Sequence, residues 1–510
     1  MDATVEGIDT DPPARTMWDL PRNWCWASLR NIGSWTSGGT PNSNEPKYYG
    51  GPIPWIRITD LNEGQLRQAE RTITQLGLTE SSAKLLNAPF LMFAMYGASI
   101  GKMAISEIDA ATNQAIACCQ PSDAIYIDYL FWALQRSKRN IISLGQGGAQ
   151  PNISQRILLD CKIPLAPLPE QRRIVARIDE LFAEIAAGEA ALADARKGLE
   201  TFRRALLKAA VTGELTRDWR TNVPTSESGD DVLKRIGKNA ASNGRKRRIA
   251  SAARLDSSDL QTLPETWSWA QLGELGEIVG GITVDKKRKP ETAVTVPYLR
   301  VANVQRGHID LSEVKSIVVE RTSAERLRLQ KGDLLLNEGG DRDKIGRGWV
   351  WDGSIPDMIH QNHVFRVRLH DKALNSYFVS HYANELGRRF FVEQGKQTTN
   401  LASISLSKVM TLPVPVPPPA ETEEIVRRVS EALSIADDTL AQLDAEAADA
   451  ARLKQAILKA AFEGRLVPQD PADEPASALL ARIAAEQPAQ PVKRRGGKTP
   501  PIKGRRTKTS

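Results

Sequence analysis

A proline run that opens a long helix occurs twice in this sequence, and that duplication restricts the folds open to it more than any other feature. The first copy is Ile163-Pro164-Leu165-Ala166-Pro167-Leu168-Pro169-Glu170-Gln171, leading into Arg172 to Ala210. The second is Pro413-Val414-Pro415-Val416-Pro417-Pro418-Pro419-Ala420-Glu421, leading into Glu423 to Ala461. Proline cannot continue a helix but is accepted at its start, so each run ends the preceding element and begins the next. Glu170 and Glu421 then sit near the positive end of a helix dipole. Ile174, Ile178, Leu181, Ile185, Gly188, Leu192, Ala195, Leu199, Phe202, Leu206 and Ala209 step by four and three, a heptad seam. Ile425, Val429, Leu433, Ala436, Leu440, Leu443, Ala447, Ala450, Leu453 and Ile457 keep the pattern with one or two phase slips. Both helices close on near-identical words, Leu206 to Leu215 and Ile457 to Leu466, with Gly213 and Gly464 as stops. At ~1.5 Å per residue, about forty residues make a rod of about 60 Å. One chain with two such rods folds them most simply as an antiparallel pair.

The repeat is far longer than the rods. Leu20-Pro21-Arg22-Asn23-Trp24-Cys25-Trp26-Ala27-Ser28-Leu29 matches Leu263-Pro264-Glu265-Thr266-Trp267-Ser268-Trp269-Ala270-Gln271-Leu272. Trp55-Ile56-Arg57 answers to Tyr298-Leu299-Arg300, Ile100-Gly101-Lys102 to Ile345-Gly346-Arg347, and Asn113-Gln114-Ala115 to Gln361-Asn362-His363. Val232 to Ile236 matches Leu479 to Ile483 after the rods. The chain is a tandem duplication of a globular domain, a rod and a basic segment. Within each globular half, short runs such as Pro54 to Ile58, Phe90 to Met95, Ile116 to Cys119, Thr295 to Val301, Asp333 to Leu336 and Val364 to Leu369 are separated by Gly, Pro and Asn, which reads as a largely β domain. Phe131 to Asn140 and Tyr377 to Phe391 read as helices, and the Trp pairs as core anchors.

Composition bounds the chemistry. The 510 residues suit a multidomain chain. Four cysteines, Cys25, Cys118, Cys119 and Cys161, form no CxxC pair and have no histidine at ligand spacing, which argues against a disulfide framework or a zinc site and for a reducing cytoplasm. The apolar window Leu85 to Gly101 is broken by Asn87, Pro89 and Gly97, so it is not a membrane span. Of the net charge of +7, the eight cations between Lys493 and Lys508 account for all, leaving the remainder near −1. A second basic cluster runs over Lys234, Arg235, Lys238, Arg245, Lys246, Arg247, Arg248 and Arg254. Concentrated positive charge of this kind attracts polyanions, nucleic acid above all.

Three enzyme-like words fail on inspection. Gly97-Ala98-Ser99-Ile100-Gly101-Lys102-Met103 is one residue short of a phosphate loop and lacks the hydroxyl that would hold magnesium. Asp11-Pro12-Pro13-Ala14 lacks the aromatic of the amino-methyltransferase motif. His360-Gln361-Asn362-His363 has no glutamate after its first histidine. All five histidines fall in the second half, so a duplicated acid-base site built on histidine is excluded. A duplicated scaffold with non-duplicated polar residues is the pattern of a recognition module. By side-chain type, the residues suited to touch DNA in the first half are Lys102, Arg136, Lys138 and Arg139, with Gln146, Gln150 and Asn152 in a Gly-rich loop. In the second half they are Lys286, Arg288, Arg342, Lys344 and Arg347, with Lys396, Gln397 and Asn400 in the loop before the proline run.

Pro-Leu-Pro-Glu-Gln-Arg-Arg-Ile-Val (Pro167 to Val175), the Trp55-Ile56-Arg57 run with Asp60-Leu61, and Gln150-Pro151-Asn152-Ile153-Ser154 before the rod together resemble the specificity subunit of a Type I restriction-modification system, from Leu20 to about Leu466. The resemblance implies an α+β chain of two tandem β-rich target recognition domains, each followed by a long helix, the two helices forming an antiparallel coiled coil. The expected order is a disordered leader (1–17), recognition domain (18–168), helix (169–215), basic linker (216–260), recognition domain (261–417), helix (418–466) and basic disordered tail (467–510). It further implies no catalysis and no cofactor in this chain. S-adenosylmethionine, ATP and Mg belong to partner subunits, and the partners are double-stranded DNA, methyltransferase (modification) subunits and restriction/translocase subunits, with no membrane. The second Leu-Pro-Glu-Gln is degraded to Pro419-Ala420-Glu421-Thr422, which puts a residue-specific role of Gln171 in doubt. A fused methyltransferase or nuclease, and a protein-binding scaffold, are the other classes the chain is weighed against.

Overall fold

A computed structural model describes residues 17–145, 152–242, 260–284, 291–340, 344–397 and 402–486. The chain divides into two compact units, one comprising Met1–Ala191 with Glu446–Ser510, the other Leu192–Ala445. Each unit contains one globular half, and each long helix, Leu168–Thr212 and Pro419–Phe462, begins in one unit and ends in the other.

The first unit is built on a five-stranded sheet in the order Gly33–Ser37, Ile116–Pro121, Phe90–Ala94, Met103–Ser106, Gln65–Leu66. Phe90–Ala94 and Met103–Ser106 are buried along their whole length, because the sheet is covered on both faces. The helix Ile127–Ser143 turns Tyr129, Leu130, Phe131, Ala133, Leu134 and Ile141 inward. A four-stranded sheet of the same unit runs in the order Arg71–Ile73, Tyr49–Ile56, Ala110–Thr112, Leu85–Leu86. The second unit repeats the central sheet as Gly276–Gly280, Val364–Leu369, Leu334–Asn337 and Gly348–Val350, with helices Ser376–Glu385 and Gly387–Gln394.

The proline runs are strands before they become helix starts. Cys25–Ser28 pairs antiparallel with Lys162–Leu165, placing Trp26 opposite Pro164, and Ser268–Gln271 pairs with Pro413–Val416, placing Trp269 opposite Pro415. Such two-stranded ribbons tolerate proline because an edge position asks for no donated N–H. The chain then turns into the helix, and the buried Trp24 indole donates to Glu170 Oε2 at 3.0 Å, as Trp267 does to Glu421 Oε2 at 2.9 Å. The acid of each proline run is thus an internal hydrogen-bond acceptor as well as a helix-start charge. Gln171 is also buried: its carbonyl accepts from Tyr126 N–H and its amide donates to Ala166 O, both at 2.9 Å. Thr422 supplies only a bond from its hydroxyl to Pro418 O.

Within each unit the two long helices run antiparallel. Ile174 and Ile178 share a core with Ile457, Leu458, Ala461 and Phe462 in the first unit, while Ala210 and Val211 share one with Ile425 and Val429 in the second. Between these ends the seam differs from the heptads read in the sequence. Gly188, Ala195 and Phe202 face outward, and the residue after each takes its place. Glu189 pairs with Lys454 at 2.8 Å in the first unit; Arg196 pairs with Asp444, and Arg203 with Asp437, in the second. The helices therefore meet through alternating apolar contacts and ion pairs, a layer that small residues could not fill.

The segments expected as linker and tail start as packed helices, Arg217–Asn222 and Gly229–Ser242 in one and Ala476–Glu486 in the other. Val232 and Ile236 are buried in the second unit, and Ala476 and Ile483 in the first. Gly229 N–H donates to Thr266 O and Ala476 N–H to Asn23 O, each at 2.9 Å, so the closing contact is duplicated too. Arg235 is bound by Asp371 at 2.6 Å and Lys234 by Asp230 at 2.6 Å, which removes both from the free positive charge counted in that cluster. Arg245 to Arg254 and the cations from Lys493 to Lys508 lie outside the described residues.

Candidate nucleic-acid interface

One end of each central sheet gathers the loops that sequence reasoning singled out. In the first unit the strand Gly33–Ser37 leaves the sheet beside the start of Ile116–Pro121, with Gly38 N–H donating to Ile116 O at 3.4 Å. Phe90–Ala94 ends there, and Met103–Ser106 begins there. The connections at this end are therefore 38–42, 113–115 and 95–102. The loop before the first long helix joins them, because Asn152 bridges Tyr96 and Ile153 N–H donates to Met95 O at 2.9 Å.

The second unit repeats the bonds that tie these loops together. Ile404 N–H donates to Glu338 O at 2.8 Å, as Ile153 does to Met95. Glu338 N–H donates to His363 O at 2.9 Å, as Met95 N–H does to Ala115 O at 2.8 Å. Gly339–Gly340 pairs with Ala402–Ser403, which pairs with Lys396–Gln397. The close approach of Gly339 explains its lack of a side chain, since a Cβ would lie 2.5 Å from Ala402 O.

The predicted residues distribute unevenly over this frame. Lys102 is exposed at the sheet end, and Asn152 is exposed on the loop beside Tyr96. Lys138 reaches toward Gly101 from the helix but is held by Glu63 at 2.8 Å, while Arg139 is exposed one residue on. Arg136 lies elsewhere, its guanidinium 5.9 Å from the Trp18 ring. Arg347 turns inward, donating to Val304 O at 3.1 Å and Val301 O at 3.3 Å. Lys344 sits half-buried against Gly340. Lys396 and Gln397 are placed by their backbone on the short strand. Gln146, Gln150, Lys286, Arg288, Arg342 and Asn400 lie outside the described residues.

Sequence reasoning missed Tyr96, 44 % exposed at this edge, and a hydrogen bond between His363 Nδ1 and Glu338 Oε2 at 2.7 Å. The signal available was the repeat itself: Met95 and Ala115 occupy the matching positions of the first unit, so a hydrogen-bonded polar pair replaces an apolar one on the same backbone.

A polar layer runs along the second central sheet from His360 toward the end away from these loops, and among the described residues the first sheet does not repeat it. Arg368 binds Asp333 through two bonds of 2.7 Å, and the buried Arg366 donates to Glu277 Oε2 at 2.9 Å and to Arg326 O at 3.2 Å. His360 is fully buried, its Nδ1–H donating to Val364 O at 2.6 Å and its Nε2 without a partner. Burial, aided by the Arg366 and Arg368 charges against the opposing Asp333, holds its pKa down to about 4. The first unit has Thr112 hydrogen-bonded to Cys118 at 3.2 Å at the same site, the thiol pushed up to about 12 by burial. The four cysteines are free thiols, and no described helix is long and apolar enough to cross a membrane.

A family model described as the Type I restriction modification DNA specificity domain matches residues 21–193 and 264–447. The chain is 25 % identical over 492 residues to the Type I restriction enzyme EcoKI specificity subunit of Escherichia coli strain K12, covering 92 % of this chain and 97 % of that one. It is 25 % identical over 488 residues to the StySPI specificity subunit of Salmonella potsdam, covering 92 % and 96 %. Among solved structures, the HsdS subunit from Thermoanaerobacter tengcongensis shares its fold with a TM-score of 0.53 at 19 % identity, over 88 % of this chain and 98 % of that one. A chain from a structure on complex assembly and conformational transition of the type I R-M system does so with a TM-score of 0.63 at 18 % identity, over 88 % and 100 %.

Proposed function

Because the chain belongs to the Type I restriction-modification DNA specificity family, we propose that it is the non-catalytic, sequence-reading subunit of such a complex in the cytoplasm. Each unit reads one half of a bipartite double-stranded target, and the paired long helices set the gap between the halves and dock methyltransferase subunits. Restriction/translocase subunits complete the assembly. The observation that carries this reading is the duplicated sheet end, where backbone hydrogen bonds recur in both units while the side chains they present differ. A scaffold that repeats and a surface that diverges suit two different half-sites, since phosphate contacts can be generic whereas base edges need particular donors and acceptors. The helices support the docking role: Phe202 and Ile435 are 48 % and 67 % exposed, apolar side chains that a partner would cover.

The test is a genome-wide map of methylated adenines in cells carrying this chain with its methyltransferase partner, against cells lacking only this chain. A split motif that disappears with the chain is the expected result. An active methyltransferase with no chain-dependent motif would leave the chain a protein-binding scaffold.

A further inference from the structure

The connection between the two strands that end at the reading edge is a tight β-turn in both units, and its tip is an amide. In the first unit Ile116 N–H closes the turn on Asn113 O at 3.3 Å, leaving Gln114-Ala115 at the tip; in the second Val364 N–H closes it on Gln361 O at 2.9 Å, leaving Asn362-His363. The turn is pinned from the side by a second duplicated bond, Asn113 N–H to Ile56 O at 3.0 Å and Gln361 N–H to Leu299 O at 2.9 Å. A third joins it to the neighbouring loop, through Ala115 O in one unit and His363 O in the other. Three backbone bonds thus hold the turn in the same place in both units, so what the tip meets differs through its side chain.

Both tips are oriented by a local partner. The Thr40 hydroxyl donates to Gln114 Oε1, leaving the amide hydrogens and the second lone pair of that oxygen available. In the second unit Glu338 accepts from His363 Nδ1–H, which makes Nε2 an acceptor, and Asn362 Nδ2 lies 3.4 Å from it. That contact turns the Asn362 carbonyl away from the imidazole. A primary amide so placed offers one acceptor and one donor side by side, the pair that matches N6–H and N7 of adenine in the major groove.

We infer that Gln114 and Asn362 are specificity-determining residues, each reading the adenine of one A·T pair in the half-site addressed by its unit. The inference rests on the reading of the chain as a DNA specificity subunit and adds to it the side chains and the base. Unlike the basic residues nearby, which bind any phosphate, these two amides sit on rigid turns at equivalent positions and carry the chemistry of one base. Pre-organisation of this kind lowers the ordering cost of each contact.

The experiment uses the complete methyltransferase complex, with Gln114→Ala and Asn362→Ala in separate preparations. Methylated sites are mapped, and binding is measured on duplexes in which each target base pair is varied in turn. Gln114→Ala is expected to weaken binding of the native site by about 5- to 100-fold and to relax one A·T position in one half, with the other half read as before. Asn362→Ala is expected to do the same in the opposite half. Gln114→Glu, which has only acceptors, is expected to shift that position toward cytosine. A native split motif left intact by all three variants overturns this inference while sparing the general reading. Relaxation spread over both halves by either single variant also overturns it, by showing that the turn only supports the fold. A complex showing no chain-dependent motif overturns both.

Discussion

The two acids that open the long helices are matched in sequence and unmatched in environment, and that contrast yields a quantitative prediction. Glu421 is fully buried and satisfied: its Oε2 accepts from Trp267, and its Oε1 accepts from the Thr216 hydroxyl at 2.7 Å and from Arg220. Glu170 accepts only from Trp24, its Oε1 is buried without a partner, and burial pushes its pKa up, partly offset by the Trp24 bond and the nearby Arg173. Glu421→Gln keeps the shape but turns an NH2 group against a donor, whichever way the amide is placed, and leaves Arg220 without its charge partner. Loss of charge-assisted bonds at a buried pair costs about 3–5 kcal/mol. Glu170→Gln keeps the indole bond on its carbonyl and places the NH2 where no donor stands, so its cost should stay within about 1 kcal/mol. Ionising a carboxyl whose folded pKa is raised favours the unfolded chain, so at neutral pH this substitution also relieves a penalty. Hydrogen exchange resolved by unit, in increasing urea, measures both. Equal losses in the two variants, or a larger loss for Glu170→Gln, would refute the reasoning.

Two further outcomes are expected from the structure. His360 and His381 both have pKa values lowered to about 4 by burial, so the unfolded chain binds more protons between about pH 4 and 6.5 and the second unit loses stability as pH falls through that window. At pH 5 the loss is about 2 kcal/mol per histidine; unit-resolved exchange should show it in the second unit alone, because the first contains no histidine, and a matching loss in both would count against it. Phe202→Asp with Ile435→Asp should lower affinity for the methyltransferase subunit at least tenfold, seen by sedimentation of the mixture. Because both side chains are exposed, stability should change by no more than about 0.5 kcal/mol. Unaltered assembly would remove these side chains from the docking surface.

Much of the architecture was legible because it depends on local pattern. The runs read as strands, Phe90 to Met95, Ile116 to Cys119 and Val364 to Leu369, form Phe90–Ala94, Ile116–Pro121 and Val364–Leu369, and the basic helix around Phe131 to Asn140 is Ile127–Ser143. Trp24 and Trp267 are core anchors as read, though their indole donors bond to acids 146 and 154 residues away, which no local pattern encodes. The heptad seam was legible in its apolar half, Ile178, Ile185, Leu192 and Leu199. Three of its alternate positions, Gly188, Ala195 and Phe202, were misplaced by one residue, since an uncharged residue in register looks better from one sequence than a charge whose partner lies on another helix. Charge likewise concealed the closing helices: the basic residues around Val232 and Ile236 marked a linker, while the apolar spacing on the same stretch marked a packed face.

The duplication separates what must be kept from what is free to change. Each unit is closed by a segment distant in sequence: Phe462 packs 5.2 Å from Tyr129 and Arg173 binds Asp473 at 2.8 Å in the first, and Gly229 binds Thr266 in the second. A chain ending at Ala445 would therefore strip the first globular half of Ile457, Leu458, Phe462 and Ile483, members of its own core. Closure relies on backbone groups, apolar contacts, one indole–carboxylate bond per unit and, in the first, the Arg173–Asp473 pair, none of which concerns the reading edge. At that edge the backbone bonds of Met95 and Glu338 are the same and the side chains are not. A substitution there is met by a frame that two different sets of residues already satisfy, so the half-site can change without the fold having to be solved again.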